Sequence, residues 1–268
     1  MKFSKKNIFL ILMFGLIAIL VFMSTRETKK YVQDGKKEQP DFAYESLLKD
    51  NDGIIVHRVL KDTVVTNFAY SISHNSQLHE YNVFLQDFEQ QMTFLKKNHI
   101  KVLTSSELIE KLNKKEVIGK AVVITFDDID KSLPENAYPI MKKLDLPFTQ
   151  FIITGKVGQI IDGSQMSTWK EIKKMNENPL VTSGLHTNDL HYQENFEPIL
   201  STNISKKVVQ KDYQKSQKAF DEKLDQKGKV FAYPYGAQNK DLEDYMLQDG
   251  IQGIFTLSPG VVTNETLY

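Results

Sequence analysis

Two adjacent carboxylates and two histidines five residues apart carry most of the chemistry this sequence can do. Asp127 and Asp128 close the segment Ala121-Val-Val-Ile-Thr-Phe-Asp-Asp128. Acids are seldom buried unless paired or bound to a cation. A pair of them ending an apolar run is therefore either a solvated strand end or the edge of a site, with one carboxylate on a metal and the other moving a proton. His186 and His191 flank Thr-Asn-Asp-Leu. On a helix, side chains that meet are three or four apart, so this segment is expected to be a loop that folds back. Alone, the two histidines read equally well as surface residues. With Asp128 they make a set of two imidazoles and one acid, which suits zinc and leaves a coordination position for water. The same donors suit cobalt, nickel or iron, so the expectation is a divalent metal, zinc foremost.

The elements that must position these groups follow from the apolar pattern. Ala121 to Phe126 reads as a strand buried on both faces. Further apolar strands are expected at Gly53–Val59, 100–103, 148–154, 180–185, 229–233 and 251–257. Helices are expected at 81–99, after the capping box Thr104-Ser-Ser-Glu107, and at 134–144, 168–176, 204–224 and 240–248, with Gly250 as the last helix's stop. About seven alternations of strand and helix imply parallel strands with helices outside. No Gly-x-Gly-x-x-Gly follows the first strand, which removes support for a dinucleotide fold. The expected fold is α/β: a distorted, incomplete (β/α) barrel of about seven parallel strands. In such a barrel the C-terminal strand ends open on one face. The residues there are His57, Asp127 with Asp128, His186 with His191, and Tyr233-Pro-Tyr-Gly236. Neighbouring residues in a strand point to opposite sides, so Asp127 and Asp128 share a site only if the backbone turns after Phe126.

Composition narrows the function classes. The chain has 268 residues, and its hydrophobic (41%) and charged (25%) fractions suffice for a full core. Thirty-four basic residues balance 34 acidic ones, which argues against a nucleic-acid partner. Without cysteine there is no disulfide, thiolate mechanism or thiolate metal site. Three lysines in the first six residues precede an uncharged apolar run, Ile8 to Met23. That is the pattern of an export signal, either cut near Ser24 or Thr25 or kept as an N-terminal anchor. The expected organisation is a signal peptide or anchor over 1–28, a polar linker over 29–52 and the folded domain over 53–268. A secreted or cell-surface protein is expected, with membrane or cell-wall association left open. His74, His79 and His99 are expected at the surface or in structural roles, Arg58 paired with an acid, and Trp169 in packing.

Taken together, Thr125-Phe-Asp-Asp128, His186-Thr-Asn-Asp-Leu-His191 and Tyr233-Pro-Tyr-Gly236 resemble the carbohydrate esterase family 4 polysaccharide deacetylases over roughly residues 53 to 260. The five-residue histidine spacing, the absence of an arginine before Pro-Tyr-Gly and an early strand ending in His-Arg resemble the branch acting on poly-β-1,6-N-acetyl-D-glucosamine in biofilms. The resemblance implies that Asp128, His186 and His191 hold the metal and that Asp127 is the general base. It implies His57 as the general acid, since the family's late leucine-x-histidine is absent. The Tyr235 N–H would help bind the oxyanion, with Tyr233 and Pro234 in the same substrate-binding segment. Ala232 and Tyr233 stand where the family commonly has its arginine, which leaves open what steadies Asp127. Two other classes compete. A glycoside hydrolase would need carboxylates roughly 5–10 Å apart, for which adjacent residues are poorly placed. A carbohydrate-binding pseudoenzyme would bind polymer without metal.

Overall fold

The computed structural model describes residues 58–61, 82–116, 121–161 and 163–257, and the backbone of 52–56. The apolar N-terminal run, most of the linker, the 62–79 stretch, His57, His74 and His79 lie outside them. All the described residues fall in one compact unit, Phe42–Lys61 with Tyr81–Tyr268.

Seven strands form the main sheet: β1 (Asp52–Val56), β4 (Lys101–Leu103), β5 (Ala121–Phe126), β6 (Phe148–Ile152), β9 (Val181–Leu185), β12 (Val230–Ala232) and β13 (Gly253–Phe255). Their order is β1-β5-β6-β9-β12-β13, with β4 also on β5. Every pair in it is parallel. Val122 pairs with both Asp52 and Val102, and Phe126 with both Val56 and Gln150. β4 and β6 therefore share the edge of β5 that β1 leaves open. β1 and β13 stand at opposite ends of the order, so the barrel is incomplete among the described residues, as the alternation predicts. Short two-stranded pairs decorate it: β2 (Arg58–Leu60) with β3 (Asn82–Phe84), β7 (Ile160–Ile161) with β8 (Ser164–Gln165), and β10 (Gln193–Glu194) with β11 (Glu197–Pro198).

β5 is buried at all six positions and β6 at all five, which is why both lack the polar alternation of a half-exposed strand. Phe126 from β5 anchors the core. It meets Phe88 at 5.9 Å and Phe148 at 5.3 Å between ring centroids, both edge-on, worth about 0.5–1.5 kcal/mol per pair beyond burial. Among the described residues six helices alternate with the strands: α1 (Leu85–Lys97), α2 (Ser105–Asn113), α3 (Tyr138–Lys143), α4 (Trp169–Asn176), α5 (Lys206–Leu224) and α6 (Lys240–Gln248). The Thr104–Glu107 capping box forms as expected. A second, Thr168–Glu171, starts α4. Gly250, at φ 96°, follows the end of α6.

Three elements differ from expectation. The single strand expected over Gly53–Val59 is two, β1 pairing with β5 in the main sheet and β2 with β3 outside it. Residues 82–84 are not the first turn of α1; they pair with Arg58–Leu60 as a strand, because that short segment needs a backbone partner. The helix expected over 134–144 opens as a π-helical turn, Leu133–Ala137, before α3. The wider turn admits an extra residue, and Asn136 uses it to donate its side-chain N–H to the Val59 carbonyl.

Gly184 in β9 lies where a β-carbon would come within 2.5–2.6 Å of the Phe151 ring and 2.8 Å of Val230. The Phe151 ring is fully buried and packed on Phe255, so it has little room to yield. Gly184→Ala is expected to cost about 1–3 kcal/mol, read as a lower midpoint in urea unfolding.

Candidate active site

The site is built where β5, β9 and β12 end, and each of the three ends carries a backbone that side chains resist. β5 stops at Phe126, and Asp128 and Ile129 then take φ of 65° and 61°. The Ile129 N–H donates to the Asp127 carbonyl at 2.7 Å, a three-residue turn centred on Asp128. This is the turn that the two adjacent carboxylates require. After β9, Thr187 sits at φ 66°. After β12, Tyr235 sits at φ 57° and ψ 15°. Left-handed backbone costs about 1–2 kcal/mol for an L-residue, and β-branched Ile129 and Thr187 are unusual there.

Those turns bring three side chains together. Asp128 Oδ1 lies 3.0 Å from His191 Nε2 and 3.5 Å from His186 Nε2, and one ligand atom from each residue falls within 4.8 Å of the others. Bonds of about 2.0–2.1 Å to a four-coordinate ion separate neighbouring donors by roughly 3.3 Å, so the donor set fits such an ion. The tautomer fits too. His186 Nδ1 lies 2.8 Å from the Ala232 carbonyl, which accepts the Nδ1 proton and leaves the Nε2 lone pair for a cation. His191 packs against the Tyr235 ring at 4.8 Å, with the Tyr235 hydroxyl 3.4 Å from its Nδ1. Both histidines thus aim Nε2 at Asp128.

His186 is 1% exposed. Burial is the largest influence on its imidazole and pushes the pKa down. The hydrogen bond to Asp128, the charges of Asp127 and Asp128 and the Ala232 carbonyl outweigh it, and the net shift is upward. Asp127, only 5% exposed, therefore acts on the same ring that Asp128 touches.

The neighbouring residues are anchored separately. Arg58 Nε lies 3.3 Å from Asp130 Oδ2, the acid pairing that the sequence implies. Asp130 also accepts from the Ser132 hydroxyl and N–H, and Ser132 Oγ accepts the Val59 N–H at 3.0 Å. Burial, the largest influence on Asp130, holds its carboxyl above the usual range despite Ser132 and Arg58. The segment after His57 is thus tied to the turn after Asp128, although His57 itself is outside the described residues. Tyr233 is 2% exposed, and its hydroxyl donates to the Asn239 carbonyl at 3.0 Å. Burial first, then nearby acids, push that phenol up to about 12. Its side chain is committed to packing, and Pro234 beside it is buried; of the Tyr-Pro-Tyr-Gly side chains, Tyr235 is the one beside a histidine. His99 is exposed and Trp169 packs on the core. Sequence reasoning missed Asp130, Ser132 and a second acid, Asp212; the last was findable as an acid on the apolar stripe of α5.

Comparison with known proteins assigns the chain to a family. The polysaccharide deacetylase family matches residues 114–254. The chain is 34% identical over 218 residues to the poly-beta-1,6-N-acetyl-D-glucosamine N-deacetylase of Staphylococcus aureus strain MSSA476, covering 80% of this chain and 75% of that protein. To the Staphylococcus epidermidis protein of the same name it is 32% identical over 210 residues, covering 78% and 73%. Among solved structures, IcaB from Ammonifex degensii superposes with a TM-score of 0.68 at 29% identity, covering 81% of this chain and 88% of that one. The chain belongs to the polysaccharide deacetylase family.

Asp128→Asn is expected to weaken uptake of zinc or cobalt more than about 100-fold in titration calorimetry, since outer-shell changes alone cost 10–100-fold. The net upward shift of the His186 pKa means that, below that pKa, metal must displace a proton from its ring. Uptake should therefore release protons and weaken as pH falls through that pKa, which calorimetry in buffers of different ionisation enthalpy reads directly.

Proposed function

We propose that this protein removes acetyl groups from poly-β-1,6-N-acetyl-D-glucosamine outside the cell, releasing acetate and leaving free amines on the polymer. The observation that carries the reading is the convergence of Asp128, His186 and His191 beside buried Asp127, in a chain of this family. Asp128, His186 and His191 hold a divalent ion, with zinc the leading choice for these donors. When bound, the ion supplies Lewis acidity, polarising the amide oxygen and lowering the pKa of water. Asp127 takes the proton from the attacking water. The Tyr235 N–H donates to the oxyanion as negative charge develops there. His57 protonates the leaving nitrogen, which departs poorly as an anion. Two contacts support His57 in that role: Val56 pairs with Phe126, the residue before Asp127, and Arg58 is tied to Asp130.

The free amines make the polymer cationic, which favours its retention on an anionic cell surface and so biofilm formation. The basic, apolar N-terminus supports export, with the segment either cleaved or kept as an anchor. No helix among the described residues is long and apolar enough to cross a membrane, and the run from Ile8 to Met23 lies outside them.

The full chain with added zinc is expected to release acetate from β-1,6-linked N-acetylglucosamine oligomers. Asp127→Asn and His57→Ala should each lower kcat by about 10²–10⁴-fold while metal uptake stays near wild type. Oligomers shortened without acetate, or full activity in either variant, would overturn the assignment.

A further inference from the structure

We infer that Asp212, on α5, is the positioning residue that sets the loop between the two histidines and so the spacing of their ligand atoms. The inference rests on the reading of Asp128, His186 and His191 as a metal centre. Asp212 is 7% exposed and lies on the stripe that α5 buries with Val209, Tyr213, Ser216 and Phe220. Its two carboxylate oxygens divide their work. Oδ2 accepts the Asn188 N–H and Oδ1 the Asp189 N–H, each at 2.8 Å. A carboxylate holding two successive backbone N–H groups fixes the orientation of both peptide planes, and charge-assisted bonds of this kind are the stronger ones.

The same loop is also held on its carbonyls, by the turn after β6. Thr154 N–H donates to the Thr187 carbonyl at 3.1 Å, and Gly155 N–H to the Asn188 carbonyl at 3.0 Å. The Thr154 hydroxyl donates to Asn188 Oδ1 at 2.9 Å. A β-carbon on Gly155 would lie 2.5 Å from the Asn188 carbonyl oxygen, so this close approach requires glycine. Between the clamps Thr187 is kept at φ 66°, a conformation threonine does not choose by itself. A five-residue histidine spacing has no regular element to set it, and here α5 and the turn after β6 supply that constraint. Asp189 lies on the outer side, its carboxylate 3.4 Å from Lys156 and 3.6 Å from Lys215.

The test is metal affinity in the full chain, together with the visible spectrum of the cobalt-loaded protein, which reports ligand geometry. Asp212→Ala is expected to raise the zinc Kd by about 10–100-fold and to shift the cobalt bands. Asp212→Asn, which keeps one acceptor oxygen, should lose less. Gly155→Ala, acting on the same loop from its carbonyl side, should move Kd in the same direction and gives a second route if Asp212→Ala fails to fold. Phe220→Leu, on the same helix but in the core, should lower Tm while leaving Kd within about twofold, since it leaves both clamps intact. A wild-type Kd and cobalt spectrum in Asp212→Ala or Gly155→Ala, with only Tm lowered, would overturn the inference and leave the metal centre standing. Failure of the wild-type protein to bind zinc or cobalt would overturn both.

Discussion

The site depends on backbone held left-handed at residues that resist it. Asp128, Ile129, Thr187 and Tyr235 all have positive φ, at roughly 1–2 kcal/mol each. Such strain persists only where the surroundings over-determine it. Here they do. Ile129 is fully buried and its N–H is taken by Asp127. Thr187 lies between the N–H groups of the Thr154 turn and the carboxylate of Asp212. Tyr235 packs its ring on His191. The stable part of the fold, a parallel sheet filled by phenylalanines, supports the unstable part, three loops bent into one another at the strand ends.

That division explains what was legible in the sequence. The strands announced themselves because β5 and β6 are buried on both faces and read as unbroken apolar runs. The capping box at Thr104 marked a helix start because side-chain and backbone partners are three residues apart and local. Asp128, His186 and His191 were visible as types at strand ends, but their meeting was not, since it turns on φ values that residue type does not encode. Nothing in Phe-Asp-Asp-Ile says that Asp128 and Ile129 go left-handed; the burial of Ile129 and the tight Asp127–Ile129 bond enforce it. The strand at 82–84 was hidden for a related reason. Its partner, Arg58–Leu60, is remote in sequence, so local periodicity extended the helix over it.

Polar residues on apolar faces were the underused signal. Asp212 and Ser216 interrupt the stripe of Val209, Tyr213 and Phe220, where an acid is expected only with partners. Asp130 lies two residues beyond the Asp pair, with Ser132 two residues further on, and both turn out to anchor the segment after His57. In each case the partner is a backbone group or a distant arginine, which a single sequence does not reveal. The acid itself, standing where burial is expected, was the readable part.

The three acids on the turn after β5 are sorted by what surrounds them, and this sorting bears on the chemistry proposed. Asp128 faces two imidazoles, so its charge is spent on ligand geometry. Asp130 faces Arg58 and Ser132 with its carboxyl held high by burial, so it serves the scaffold. Asp127 opens the turn, is almost fully buried, and acts on His186 through its charge. A glycosidase would need two carboxylates facing each other across a sugar, and Asp128 and Asp130 are already committed elsewhere. One acid beside two imidazoles and a carboxylate is instead the arrangement that, with a cation held as proposed, would give a water proton a nearby acceptor and a developing oxyanion a counter-charge. The geometry that makes the paired acids poor partners for acetal cleavage is therefore what suits them to amide hydrolysis.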